Sequence, residues 1–475
     1  MASAVRAPCP LWRHAQSRPD ALALWTPTRR WTYAELDGAV AATAARLRRE
    51  DLTGSPRVAL RLPRGPRLVI LLWALWRVGA VAAPLSTRLP SEEARRLAQR
   101  LRTRHLLTTD SALLKDPPEG MSTAAPDSMV VQEGRRGSVA APQPIHRPAT
   151  LLFTSGSTGQ PTGVLHAWSN HLYSAKGANA NMPLGTGDRW LLSLPLYHVG
   201  GLAILVRCAL AGAAVAVPAL EASVAGALNR SGATHLSLVA TQFRRLLKAQ
   251  DAGSPPHIRA VLLGGGPIPM GLLRRGHAQG WPLHTSYGST EMGSQVTTTA
   301  PGAPWTDLQT AGRRLPHRRV RIADDGQILV GGATLCVGVM DDDRVRDPRV
   351  EGWYPTGDVG RLDAQGRLWV QGRIDRQFVS GGENIQPEEI EVALERIEDI
   401  DRAVVVAVPD EEYGRRPVAF VQSTGGLRPD AWRRTLAATL PRFKLPDAIH
   451  RLPDAAVEGT MKVDHDFLRQ HARSG

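Results

Sequence analysis

Apolar positions at helical spacing alternate with short, dense apolar runs along most of the chain. Trp31 to Glu50 has a helical repeat and is entered through Thr32, an N-cap residue type, which predicts an amphipathic helix. Arg57 to Leu62 alternates like a strand, Leu68 to Val78 is apolar on every face like a buried helix, and Ala80 to Leu85 is a short apolar run. A helix over Ser91 to Leu101 and a strand over His105 to Thr108 follow. After Thr150 the strand-like runs LLFTS, WLLSLPLYH, AVAVPA, HLSLVA and AVLLGGG recur between helical stretches. This alternation predicts an α/β fold.

The pattern changes in three places. Residues 115–148 are rich in Pro, Gly, Ser and Ala without apolar periodicity, which predicts a surface connection. From about residue 310 short strands and turns (RVRIADDGQILVGG, RLDAQGRLWVQGR) predict a β-rich subdomain. After Arg373 a last section has a helix over Gln386 to Arg396, a strand over Ala403 to Val408, a helix near Pro429 to Leu440 and a loop carrying Lys462. The expected division is a large domain over residues 1–374, built of α/β subdomains and the β-rich one, and a small α+β domain over 375–475. There is no internal repeat.

Composition narrows the function classes. With 475 residues, 43% apolar and 21% charged, the chain is globular and long enough for several domains. No apolar run approaches the ~20 residues that cross a bilayer, and the N-terminus has no secretory pattern. Cys9, Cys208 and Cys336 are few and far apart, which disfavours a disulfide framework and fits a cytoplasmic location. The formal net charge of +14 raises a nucleic-acid reading. Its source argues otherwise: only five of the 58 basic residues are lysines, and the arginines are scattered in pairs along the chain, not gathered in one tract. Attraction of small polyanions is compatible with the same charge.

Residues 151–164 read LLFTSGSTGQPTGV: an apolar strand runs into Thr154, Ser155, Gly156, Ser157, Thr158 and Gly159. Small hydroxyl residues between glycines let backbone N–H groups and hydroxyls converge on an anion, as a triphosphate requires. The GxxxxGK[ST] Walker pattern is absent. The alternative is a flexible Ser/Gly connection.

This loop resembles the phosphate-binding signature of the adenylate-forming superfamily of acyl-CoA synthetases, luciferases and peptide-synthetase adenylation domains. Further matches follow in family order over most of the chain: Tyr287-Gly288-Ser289-Thr290-Glu291, Tyr354-Pro355-Thr356-Gly357-Asp358, Gly372-Arg373-Ile374-Asp375, Gly381-Gly382-Glu383-Asn384-Ile385, and Lys462 near the C-terminus. The resemblance implies adenylation of a carboxylic acid by ATP with Mg²⁺, then transfer of the acyl group to coenzyme A. It implies that Thr154 to Gly159 hold phosphates, and that Thr290 meets the α-phosphate. Glu291 would hold the metal, and Gly264, Gly265, Gly266, Tyr287 and Gly288 the adenine. Asp358 and Arg373 would bind the ribose. Lys462 and His198 would serve catalysis, with Asp375 the hinge of a mobile C-terminal domain and Gly381 and Gly382 along the CoA path.

Two positions depart from the family pattern. Met461 replaces the glycine before the catalytic lysine, and Thr162 replaces the lysine of the family's Pro-Lys-Gly. The segments SLPLYHVGGLAILVRCALAGA, THLSLVATQFRRLL and FVSGGENIQPEEIE most resemble the branch that joins o-succinylbenzoate to CoA in menaquinone biosynthesis. That substrate keeps a second, charged carboxylate. Arg207, in an otherwise apolar segment, is the candidate to meet it; the alternative is an arginine snorkelling to solvent. His198, Thr241 and Gln242 would line the same acyl pocket. Other aryl- or acyl-CoA synthetases, and an adenylate-binding relative of weak activity, stay open as alternatives. The expected partners are a small carboxylic acid, ATP and CoA, without nucleic acid, and the choice between monomer and homodimer is open.

Overall fold

The computed structural model describes residues 5–50, 52, 57–100, 102–134, 142–155, 161–250, 253–341, 344–456 and 463–472. Gly156, Ser157, Thr158, Gly159, Met461 and Lys462 lie outside the described residues.

Local sequence signals set many of the elements. Thr32 caps the helix Tyr33–Arg49 in a reciprocal box with Glu35: its hydroxyl accepts from Glu35 N, and Glu35 Oε2 accepts from Thr32 N at 2.7 Å. The helix Pro66–Val78 starts at a proline, stops at Gly79 with φ +87°, and is buried from Leu68 to Arg77. Its tryptophans Trp73 and Trp76 pack edge-to-face, and both meet Trp168.

Two large sheets make the body of the protein. One has eight strands and contains the hairpin Pro148–Ser155 and Pro161–Ala167, beside the parallel strands Arg57–Arg61, Val81–Pro84 and His105–Thr108. The other has nine strands. Its parallel centre comprises Arg189–Leu191, His235–Leu238, Ala260–Leu263 and Leu283–Ser289 in adjacent positions. A four-stranded antiparallel sheet, Arg318–Ile322, Gln327–Gly332, Tyr354–Leu362 and Leu368–Arg373, forms the β-rich part. Beyond the short turn Ile374–Arg376 comes a small layer built on the sheet Ile400–Asp410, Gly414–Ser423 and Ala448–Arg451. Its two apolar clusters draw only on residues from Phe378 onward, whereas the other clusters end at Leu368. Polar contacts bridge the two parts: Arg244 donates to Asp401 O at 2.9 Å and to Gln422 Oε1 at 3.3 Å.

Two details differ from the sequence pattern. Ser122–Ala124, within the stretch expected to be a plain connection, adds an edge strand beside His105–Thr108. An edge strand buries little on either face, so it needs no apolar period. The run WLLSLPLYH is a strand only over Arg189–Leu191; Pro195 ends any further pairing, and His198 is the N-cap position of the helix Val199–Ala211. Among the described residues no helix is long and apolar enough to cross a membrane.

Candidate active site

The candidate residues cluster where the parallel strands of the nine-stranded sheet end. The chain leaves the carboxyl ends of four neighbouring strands into the segments holding His198, Thr241 with Gln242, Gly264 to Gly266, and Thr290 with Glu291. In open α/β sheets this edge is where ligands bind, because adjacent loops diverge there and leave a crevice.

One hydrogen-bonded cluster joins Tyr287, Asp358, Arg373 and Asp375. The Tyr287 hydroxyl donates to Asp358 Oδ2 at 2.6 Å, and Arg373 Nη1 donates to Asp358 Oδ1 at 3.2 Å. The same guanidinium grips Asp375 through Nε and Nη2, both at 3.0 Å. Asp358 is brought opposite Arg373 by strand register, and Gly357 (φ +73°) lets the strand pass close to that guanidinium. Burial raises the Asp358 carboxyl above its ordinary range, opposed by the Tyr287 and Arg373 hydrogen bonds. Burial likewise raises the Tyr287 hydroxyl, and the neighbouring Asp358 charge adds to it.

The turn carrying Thr290 and Glu291 is pinned from several directions. The Nε2 of the fully buried His166 is 2.7 Å from Thr290 O, Cys336 N donates to Glu291 O at 2.7 Å, and the Ser174 hydroxyl donates to Gly293 O at 2.6 Å. Burial raises the Tyr354 hydroxyl well above its ordinary range, and the nearby Glu291 charge adds to it. Gly288 sits in a β-bulge where a Cβ would come within 2.1 Å of Ser294 O, so only glycine fits. A Cβ on Gly264 would come 2.7 Å from the Ser286 hydroxyl, a milder clash, and Gly265 has φ +81°. His166 and Ser174 carry no motif in the sequence. Their partners are far away along the chain, and a buried histidine in a strand has no local signature.

The acyl candidates separate. Gln242 spends its side chain on the protein: Oε1 accepts from Val239 N and Nε2 donates to Ser193 O at 3.0 Å. Thr241 is exposed. Arg207 does not snorkel, being only 2% exposed. Its Nε donates to Asn179 Oδ1 and its Nη1 to Gln295 Oε1, both at 3.0 Å, while its Nη2 lies 3.5 Å from Ala178 O. The guanidinium lies 4.1 Å from the Trp190 ring centroid. Burial lowers its pKa to about 9, since every hydrogen-bond acceptor around it among the described residues is neutral. Thr154 closes the start of the hairpin, with its hydroxyl 3.5 Å from Thr162 O, while Ser155 ends the strand. Gly381 and Gly382 (φ +56° and +86°) form the turn of the hairpin Phe378–Ser380 and Glu383–Ile385, outside the Tyr287–Asp358 cluster.

With this geometry in place, the sequence relationships are decisive. Residues 11–338 match the AMP-binding enzyme family, and residues 389–460 match the AMP-binding enzyme C-terminal domain. The chain belongs to the AMP-binding enzyme family. Among AMP-binding enzymes it is 30% identical to a 2-succinylbenzoate–CoA ligase of Listeria monocytogenes, over 97% of this chain and 98% of that one. The fold superimposes on the o-succinylbenzoate CoA synthetase of Bacillus subtilis in complex with its acyl-adenylate intermediate (TM-score 0.85, 28% identity, 97% and 100% of the two chains). The same enzyme with ATP and a magnesium ion matches with TM-score 0.84 and 30% identity over 94% and 96%. These AMP-binding enzymes share the large N-terminal and small C-terminal parts described above.

Proposed function

We propose that this protein is an ATP-dependent 2-succinylbenzoate–CoA ligase. The succinyl carboxylate attacks the α-phosphate of ATP, forming the acyl-adenylate and releasing pyrophosphate. The CoA thiol then takes the acyl group and releases AMP. The observation that carries this reading is Arg207: a buried cation with neutral hydrogen-bond partners, on an apolar helix that begins at His198, suits a substrate that brings a second carboxylate of its own. The full-length similarity to 2-succinylbenzoate–CoA ligases supports the same substrate.

The remaining roles follow from placement. Asp358 accepts hydrogen bonds from the ribose and Arg373 braces it, with Tyr287 and Gly264 to Gly266 bounding the adenine. Thr290 donates to the α-phosphate. Glu291 would hold Mg²⁺, which is commonly bound by one or two carboxylates together with substrate phosphate oxygens. The bound ion offsets phosphate charge. Thr154 to Gly159 cradle the phosphates, and Lys462 offsets charge between carboxylate and α-phosphate. Asp375 marks the hinge between domains 1–374 and 375–475, and Gly381 and Gly382 let pantetheine pass. The three free cysteines support a reducing cytoplasm. Nucleic acid is no part of the function, and a homodimer is compatible with it.

The test is direct. Purified protein with ATP, Mg²⁺, CoA and a panel of carboxylic acids should release AMP and form thioester with 2-succinylbenzoate. Activity on benzoates or fatty acids but not on 2-succinylbenzoate would overturn the substrate assignment. Failure to release AMP from any acid would favour a weakly active adenylate binder, a reading that Thr162 supports.

A further inference from the structure

Arg207 is one of two buried arginines that grip the same residue. Arg318, 1% exposed, donates Nε to Gln295 O at 2.9 Å, Nη1 to Tyr173 O and Pro316 O, and Nη2 to Ser174 O and Ser174 Oγ. All five of its N–H groups are thereby used, and every acceptor is neutral. Gln295 is itself 5% exposed. Arg318 holds it by the backbone. At the other end its Oε1 accepts from Arg207, and its Nε2 donates to Thr298 Oγ1 at 2.7 Å. Arg207 spends three N–H groups on Asn179, Gln295 and Ala178. Among the described residues, two of its five therefore remain, one on each terminal nitrogen.

A buried guanidinium normally has a carboxylate partner, because an uncompensated charge in a low dielectric is costly. Here the position nearest Arg207 Nη1 holds an amide, which orients the cation without neutralising it. We infer that Gln295 is a specificity-determining residue. Its neutral amide, anchored by Arg318, fixes Arg207 while leaving its charge to be balanced by the ring carboxylate of the acid. This rests on the proposed role of Arg207 as that carboxylate's partner. A glutamate at 295 would satisfy Arg207 internally and repel the substrate.

Gln295→Glu tests this cleanly. The change is isosteric, and the new carboxylate lies against the Arg207 guanidinium and the Thr298 hydroxyl while Arg318 still holds the backbone, so the fold is retained. The readout is kcat/KM for 2-succinylbenzoate relative to 4-oxo-4-phenylbutanoate, the same acid without its ring carboxylate. The expected result is a fall of at least tenfold in that ratio, carried by KM for 2-succinylbenzoate, with KM for ATP unchanged within about twofold. Gln295→Met, neutral but without the acceptor, should retain most of the preference. An unchanged ratio in folded Gln295→Glu, or equal loss in both variants, would overturn the inference. Arg207→Gln separates the two levels. If it abolishes the preference while Gln295→Glu does not, only the role of Gln295 fails. If Arg207→Gln keeps the preference, the underlying reading of Arg207 fails.

Discussion

The Tyr287 hydroxyl donates to Asp358 Oδ2 at 2.6 Å, across 71 residues of sequence, and so ties the strand Leu283–Ser289, which leads into the Thr290 turn, to the strand Tyr354–Leu362 that carries the proposed ribose-binding acid. Burial alone would push Asp358 toward its neutral form, and this bond with that of Arg373 opposes it. If Asp358 binds the ribose as proposed, it does so as the carboxylate, so KM for ATP should rise as pH falls through the raised pKa of Asp358. Tyr287→Phe removes one opposing bond while keeping an aromatic ring. The rise should then begin at higher pH, with little change in KM at alkaline pH. A superimposable pH profile of KM in the two proteins would contradict this.

His166 supports Thr290 from 124 residues away. Leucine at this position leaves the Thr290 carbonyl buried without its partner, which costs about 1–3 kcal/mol. His166→Leu should lose that much in denaturant unfolding and raise KM for ATP, whereas His166→Gln, which can still donate, should lose less of both. The imidazole also titrates. Burial lowers its pKa from 6.5 to about 4, with the bond to Thr290 opposing. The unfolded chain therefore takes up a proton first, and stability present above pH 6.5 is lost as pH falls toward about 4. Subtracting the stability profile of His166→Gln from that of the native protein should reveal this component within that window.

Thr162 faces Thr154 across the hairpin of Pro148–Ser155 and Pro161–Ala167, next to the proposed phosphate-binding residues. Restoring a cation there adds a charge-assisted contact worth about 1.5–3 kcal/mol. Thr162→Lys should lower KM for ATP about tenfold or raise kcat. Steady-state kinetics with ATP varied decides it, and an unchanged or poorer enzyme would show that another cation already serves the phosphates.

Lys462 acts, on the proposed mechanism, only in adenylation. Lys462→Ala should abolish pyrophosphate release from ATP and acid, while thioester formation from synthetic acyl-adenylate and CoA persists. Loss of both half-reactions would assign it a structural role.

The helix Tyr33–Arg49 and the strand Ile400–Asp410 were legible because their signals are local, a cap and an apolar run, whereas the partner strands Gly414–Ser423 and Ala448–Arg451 were not expected. The motif residues Tyr287, Asp358 and Arg373 were legible as chemistry, and strand register brought them together. Ser122–Ala124 was missed because an edge strand needs no apolar pattern, and Gln242 was expected in the pocket although its amide is spent on Val239 and Ser193.

The sequence by itself determined the alternation of elements, the order of the nucleotide-binding motifs and the unusual use of arginine over lysine. It could mark Arg207 as an arginine in an apolar helix, but could not say whether that cation was neutralised. The tertiary structure decided this, because the partners of a buried charge come from distant segments: Asn179 from the preceding helix and Gln295 from a strand 88 residues on. Hydrophobic period encodes which face is buried; only packing determines which polar groups share the interior with it.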